Sequence, residues 1–412
     1  MPARKTVDIL EALVGFDTTS RNSNLALIAW VEAYLDGFGI AHERVLDPTG
    51  GKANLWATVG PAAVPGYILS GHTDVVPVDG QTWSADPFRL TPRDGRLYGR
   101  GAADMKGYLA CCLAAVPDMI AAKLARPIHL ALSHDEEIGC IGVRTLIARL
   151  RDAPAKPVGC FVGEPTGMTV VTGHKAKRSL RVTVRGETCH SSLAPRGVNA
   201  VEYAARLIVK IRDIADRLAR EGARDPLYDV PFTTGHTGTV HGGSALNIVP
   251  DHCTFEFEFR SIAADSLDAL VGEVTAHARE VLEPAMKAVA PHAGIDFEIM
   301  SGFPGLDTAP DCAMVGLSKR LSGRSDHAKV AFGTEAGLFT EAGIPTVVIG
   351  PGSIDQAHKA DEFIAVGELE KCGTFIDGLI AHCRKPQVGS TPGLTRGRPN
   401  TPATWRSRRA RA

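Results

Sequence analysis

An apolar run ending at Leu69 leads directly into "SGHTDVVP", which sets His72 and Asp74 two residues apart. In an extended chain, residues at that spacing project to the same side. Asp74 is therefore expected to accept one ring N–H of His72, fixing its tautomer and aiming the other nitrogen at a cation. Four further segments place acids or a histidine in turns that follow an apolar strand or open a helix. They hold Asp104 in "GRGAADMKG", Glu136 and Glu137 in "SHDEEIG", Glu164 in "VGEPTG" and His358 in "IDQAHKADE". Imidazole nitrogen with carboxylate oxygen is a donor set that zinc, cobalt or manganese accepts. Two such ions sharing one carboxylate, about 3.5–4 Å apart, form a recurrent hydrolytic arrangement. Within the Glu136-Glu137 pair, one carboxylate can bind a cation. The other is then free to take a proton from water and pass it to a leaving amine.

Residues so far apart in sequence need a scaffold that brings them to one edge. Up to about residue 175, the apolar runs "GYILSGH", "PIHLALSHDEE" and "PVGCFVGEP" alternate with the helix-like "DMKGYLACCLAAVPDMIAAKL" and "IGVRTLIARLRD". This predicts an α/β fold with a mostly parallel sheet covered by helices on both faces. Such sheets carry their ligand sites at the C-terminal strand edge, where these acids and histidines fall. The pattern then changes. "SLRVTVRG" and "CTFEFEFRS" alternate apolar and polar residues, as strands with one wet face do. With "TGTVHGG", "GIDFEIM" and helices near 198–220 and 267–283, the order is β-α-β-β-α-β, a ferredoxin-like unit. We expect a main domain over 1–178 and 302–385, and an inserted domain over 179–301. Residues 386–412 are expected to form a basic, disordered tail.

The chain has 412 residues with a formal net charge of −1, which argues against a nucleic-acid or membrane partner. Eight basic and no acidic residues lie from Arg384 onward, so the remainder is mildly acidic; the tail is expected to be a solvated appendage. Nine cysteines without a CxxC pair fit a reducing cytosol. The N-terminal stretch does not read as a signal peptide, and no apolar run approaches the roughly 18 residues of a membrane span.

Taken together, from about residue 5 to 383, these segments resemble the amidohydrolases of the aminoacylase, acetylornithine deacetylase and succinyl-diaminopimelate desuccinylase family. The resemblance rests on the order His-x-Asp, Asp, Glu-Glu, Glu, His. It implies a zinc-peptidase-like fold and two divalent ions, zinc or cobalt. His72 and Glu164 would hold one ion, Glu137 and His358 the other, with Asp104 bridging and Glu136 as general base. "GETCHSSLAPRGVNAVEYAARL" resembles the family's lid, implying that His190 reaches a neighbouring subunit's site in a homodimer. "GGSALNIVPDHCTFEFEFR" resembles its substrate-binding segment, implying that Asn247 and Arg260 contact the substrate α-carboxylate. "VVTGHKAKRSL", "FGTEAGLF" and "GPGSIDQAHKADEF" look like the acetylornithine deacetylase branch, which implies removal of an acetyl group from the α-nitrogen of ornithine. The rival substrates are another small-molecule N-acyl amino acid, a dipeptide or a succinylated diamino acid. Glu335 is expected to meet the substrate's side-chain ammonium. His134, His174 and His241 are expected to be structural or surface residues.

Overall fold

A computed structural model describes residues 2–151 and 155–384. The strands Ile128–Ser133, Tyr67–His72, Gly159–Val162 and Thr346–Val348 lie side by side in that order, all parallel. Every residue in the four is buried. Burial on both faces is why they read as continuous apolar runs. Their side chains feed two cores alternately. Leu69, Leu130, Phe161 and Val347 enter one, packed by helices Pro2–Val14, Gly107–Ala114 and Val366–Cys383. Ile68, Ala131, Cys160 and Val348 enter the other, packed by Val143–Arg151 and Ala336–Glu341.

The predicted α/β fold with a mostly parallel sheet is thus present, with additions at its margins. Ala53–Val59 and His42–Leu46 continue the sheet antiparallel on one side. Val171–His174 and Leu306–Asp307 do so on the other, and Ala328–Val330 pairs in parallel with Val171–His174. His42–Leu46 buries only Val45, so it carries little periodic signal. The long helix expected after Asp104 is broken instead. A wide turn, Ala102–Lys106, precedes Gly107–Ala114, and Pro117 sits in the first turn of a separate helix, Val116–Ala121. Proline lacks the N–H that a continuous helix would use there.

The segment expected to be inserted forms its own four-stranded antiparallel sheet, ordered Thr234–Gly242, His252–Ser261, Ala176–Arg185, Gly294–Phe303. Helix Ala200–Glu221 packs on one face together with Leu267–His277. Phe255, Phe257 and Phe259 point inward from alternate positions. Each contributes on the order of 1.5–3 kcal/mol by burial. A three-stranded sheet, Phe363–Ala365, Arg96–Tyr98 and Thr91–Arg93, flanks the main body. No helix among the described residues is long and apolar enough to cross a membrane. The predicted tail, 386–412, lies outside the described residues.

Candidate metal centre

Each of the four central parallel strands leads at its C-terminal end toward the same place. Tyr67–His72 ends on His72 itself; Ile128–Ser133 runs into Glu136 and Glu137; Gly159–Val162 runs into Glu164. Thr346–Val348 leads to the turn bearing His358, and the wide turn Ala102–Lys106 brings Asp104 across. Close backbone approach is built in: a Cβ on Gly163 would lie 2.1 Å from the Tyr108 ring. Gly101, at φ 77°, opens the Asp104 turn in the left-handed region that glycine adopts without strain.

Asp104 stands between the two histidines. Its Oδ1 lies 3.1 Å from His72 Nε2 and its Oδ2 lies 3.4 Å from His358 Nε2. His72 Nε2 is also 3.8 Å from Glu164 Oε1, and His358 Nε2 is 3.1 Å from Glu137 Oε2. One set of donor atoms, from His72, Glu136 and Glu164, and a second, from His72, Asp104 and Glu137, each gather within 4.8 Å. His72, Asp104 and Glu164 are buried, whereas the His358 side chain is 54% exposed, at the mouth.

Four carboxylates and two imidazoles held this close are electrostatically unsatisfied without cations. Burial pushes Glu136 up to about 8, with the His72 charge restraining the rise and Glu137 and Asp104 adding to it. Burial and the Asp104 charge push Glu137 up to about 7, and burial raises Glu164 well above the ordinary range. Burial opposes charge on Asp104 too, yet hydrogen bonds from His358 and His72 hold it below the usual carboxylate range. His358 is pushed up to about 10 by its bonds to Asp104 and Glu137. Glu164 Oε1 is buried without a hydrogen-bond partner among the described residues. An orphaned anionic oxygen facing an imidazole fits a cation site, since divalent charge reverses such upward shifts. The donor set suits zinc or another borderline divalent metal.

One sequence-based expectation needs refinement and another correction. The Asp74 carboxylate faces the His72 ring nitrogen, as expected, but the nearer acceptor is the Asp74 backbone carbonyl. His72 Nδ1 lies 2.9 Å from the Asp74 backbone carbonyl and 3.5 Å from Oδ1. The Asp74 carboxylate also accepts the Ser20 hydroxyl at 2.7 Å and the backbone N–H groups of Glu136 and Glu137 at 3.2 and 3.3 Å. It thereby anchors the double-glutamate turn. Glu335 is not a pocket-facing loop acid. It is 1% exposed, and its two oxygens accept the hydroxyls of Ser70 and Ser133 at 2.6 and 2.7 Å. A carboxylate engaged on both oxygens and sealed from solvent is not free to receive a ligand ammonium.

His190, Asn247 and Arg260 lie on the antiparallel unit. His190 Nδ1 caps the turn Ser191–Arg196, and the Asn247 carbonyl accepts the Ser191 N–H. Arg260 pairs with Glu258 at 2.7 Å on the polar side of its strand. None of the three hydrogen bonds to the carboxylate cluster among the described residues. Of the histidines set aside, His174 is buried, with burial lowering it to about 4. His134 is buried beside Asp135, and His241 is exposed on the outer strand of its sheet.

Sequence reasoning missed the layer beneath the cluster. Glu362 is buried at 1% and accepts from the Arg100 guanidinium at 2.8 Å. Lys106 is fully buried, donating to the Phe16 carbonyl, and burial lowers it to about 7. Both basic residues sit in the same short segment as Asp104, and Glu362 follows His358 by four. Charged residues inside otherwise apolar, glycine-rich turns were the available signal.

A profile of peptidase family M20/M25/M40 matches residues 68–382. Acetylornithine deacetylase of Photorhabdus laumondii is 35% identical over 367 residues, covering 89% of this chain and 92% of that protein. The Myxococcus xanthus acetylornithine deacetylase is 34% identical over 384 residues, covering 90% and 96%. Among solved structures, a Staphylococcus aureus tripeptidase superposes with a TM-score of 0.72 at 22% identity, covering 92% and 98%. A dinuclear metal-binding M20 peptidase of Bacillus subtilis does so at 0.62 and 15%, covering 92% and 98%.

Proposed function

Because the chain belongs to peptidase family M20/M25/M40 and is a hydrolase of linear amides, we propose that it works with two divalent cations on an N-acyl amino acid. The observation that carries this reading is Asp104, whose two oxygens face His72 and His358 at 3.1 and 3.4 Å. His72 and Glu164 would hold one zinc or cobalt ion, and Glu137 and His358 the other, with Asp104 shared. When bound, such a pair polarises the scissile carbonyl and lowers the pKa of water enough to make it a nucleophile at neutral pH. Glu136 takes the proton of the attacking water and hands it to the departing amine. Asp74 holds Glu136 in place through the backbone N–H. Arg260 and Asn247 bind the substrate α-carboxylate, for which a guanidinium fork is geometrically suited.

The proposed substrate is N2-acetyl-L-ornithine, cleaved to ornithine and acetate, a step in arginine biosynthesis. Its support is the pair of deacetylases that align along about nine-tenths of the chain. We expect kcat/KM on N2-acetyl-L-ornithine to exceed that on N-acetyl-L-methionine, N-succinyl-diaminopimelate and a dipeptide by tenfold or more, about 1.4 kcal/mol of transition-state discrimination. Preference for any of the other three would reassign the enzyme to a related amidohydrolase, desuccinylase or dipeptidase.

We read the working form as a homodimer in which His190 enters the partner's site and stabilises the charge developing on the carbonyl oxygen. Two features support it. Among the described residues the outer strand Thr234–Gly242 has one edge unpaired, and Leu246, Val240 and Ile248 nearby are 101%, 54% and 42% exposed. Mixing inactive Glu136→Gln with inactive His190→Ala protein is expected to restore activity through mixed dimers with one intact site. No restoration after subunit exchange would place His190 in its own chain's site, or outside catalysis. Nine free cysteines support a reducing cytosol, which cell fractionation checks.

A further inference from the structure

We propose that Glu362, Arg100 and Gln81 form a positioning strut that sets the distance between Asp104 and His358, and so governs the cation on that side of the centre. The inference rests on the two-cation reading above. Glu362 is the hub. Its Oε1 accepts the backbone N–H groups of Ala103 and Asp104 at 2.8 and 3.1 Å. Its Oε2 accepts the Gly101 N–H at 2.9 Å and Arg100 Nη1 at 2.8 Å. One buried carboxylate thus takes four donors from the turn that presents Asp104. A buried carboxylate bonded by four donors fixes the backbone around it, because releasing any donor leaves a buried polar group unsatisfied.

The same guanidinium reaches the other histidine. Arg100 Nη2 donates to Gln81 Oε1 at 2.6 Å, and Gln81 Nε2 donates to the His358 carbonyl at 3.0 Å. Arg100 Nη1 also lies 3.3 Å from the Lys359 carbonyl. The guanidinium sits over the Trp83 ring at 5.0 Å, and the Trp83 indole N–H donates to the same Gln81 oxygen at 3.1 Å. His358 needs such fastening. Its φ of 62° is in the left-handed region, disfavoured for a residue with a Cβ, and its side chain is more than half exposed. The strut therefore runs from the Asp104 backbone through Glu362, Arg100 and Gln81 to the His358 backbone. It touches neither His72 nor Glu164: through the shared Asp104 its Glu362 end bears on both cations, whereas its Gln81 end bears on the His358 side.

The test is calorimetric titration of chelator-stripped enzyme with Zn²⁺, independent of turnover. Wild type is expected to show two binding events. His358→Ala identifies the event belonging to the Asp104–His358 side, and His72→Ala the other. Glu362→Gln replaces one acceptor oxygen by an N–H₂ that opposes the donors, and is expected to weaken the His358-side event about 10–100-fold and the other, which shares Asp104, by distinctly less. Gln81→Ala, at a half-buried position outside the core, is expected to act on the same event and decides the matter if Glu362→Gln does not fold. Equal weakening of both events, or no change in either, would overturn the strut. A wild type that binds fewer than two ions would instead sink the two-cation reading and the strut with it.

Discussion

Glu136→Gln is expected to lower kcat by about 10²–10⁴-fold while both cations remain bound. The amide matches the acid in shape and keeps the backbone bond to Asp74, so the turn is undisturbed. What disappears is a base able to take a proton from water and return it to the amine. The wild-type pH profile bears on the same group. Burial places Glu136 at about 8 in the bare cluster. Nearby divalent charge favours its ionised form, so in the loaded enzyme kcat is expected to rise with pH along a limb lying lower than that. Metal content by elemental analysis and kcat on the same preparation check the prediction. A variant retaining more than a third of wild-type kcat would remove Glu136 from the chemistry.

Asp104→Asn is expected to do comparable damage by a different route. A carboxylate offers an anionic oxygen to each histidine's side, whereas an amide offers one neutral oxygen and a competing N–H₂. The variant should release at least one cation and lose about 4 kcal/mol of transition-state stabilisation, roughly three decades in kcat/KM. The stripped variant should also melt somewhat lower than stripped wild type. The ionised Asp104 is held by hydrogen bonds from His72 and His358, and the amide loses that charge, although the Glu362 contacts, which use only the Asp104 backbone, remain. Full activity with two bound ions would show that Asp104 is not the shared ligand. A large fall in melting temperature would point to a scaffolding role instead.

The parts of this centre that were legible in the sequence share one property: their signal is local. His72, Glu136-Glu137 and Glu164 each follow a buried apolar run, and Asp104 opens a helix, so type and place could be read from a few neighbours. The misreading and the omissions come where partners are distant. The nearness of Asp74 to His72 could be read from their spacing, but its further partners Ser20 and Glu136 lie 54 and 62 residues away. Glu335 looked free to meet a substrate ammonium because nothing near it in sequence announces Ser70 and Ser133, 265 and 202 residues away. Glu362 stayed silent for the same reason, since all its donors come from residues 100–104. At the level of fold, the four central strands were plain because burial on both faces makes them uniformly apolar. The half-exposed His42–Leu46 at the margin was not.

The most direct test of the account is a crystal of the zinc-loaded enzyme measured on both sides of the zinc absorption edge. The account predicts two anomalous peaks about 3.5–4 Å apart, one beside His72 and Glu164 and one beside His358 and Glu137, with an oxygen of Asp104 on each. A single peak, or two peaks of which one lies out of reach of Asp104, would contradict it.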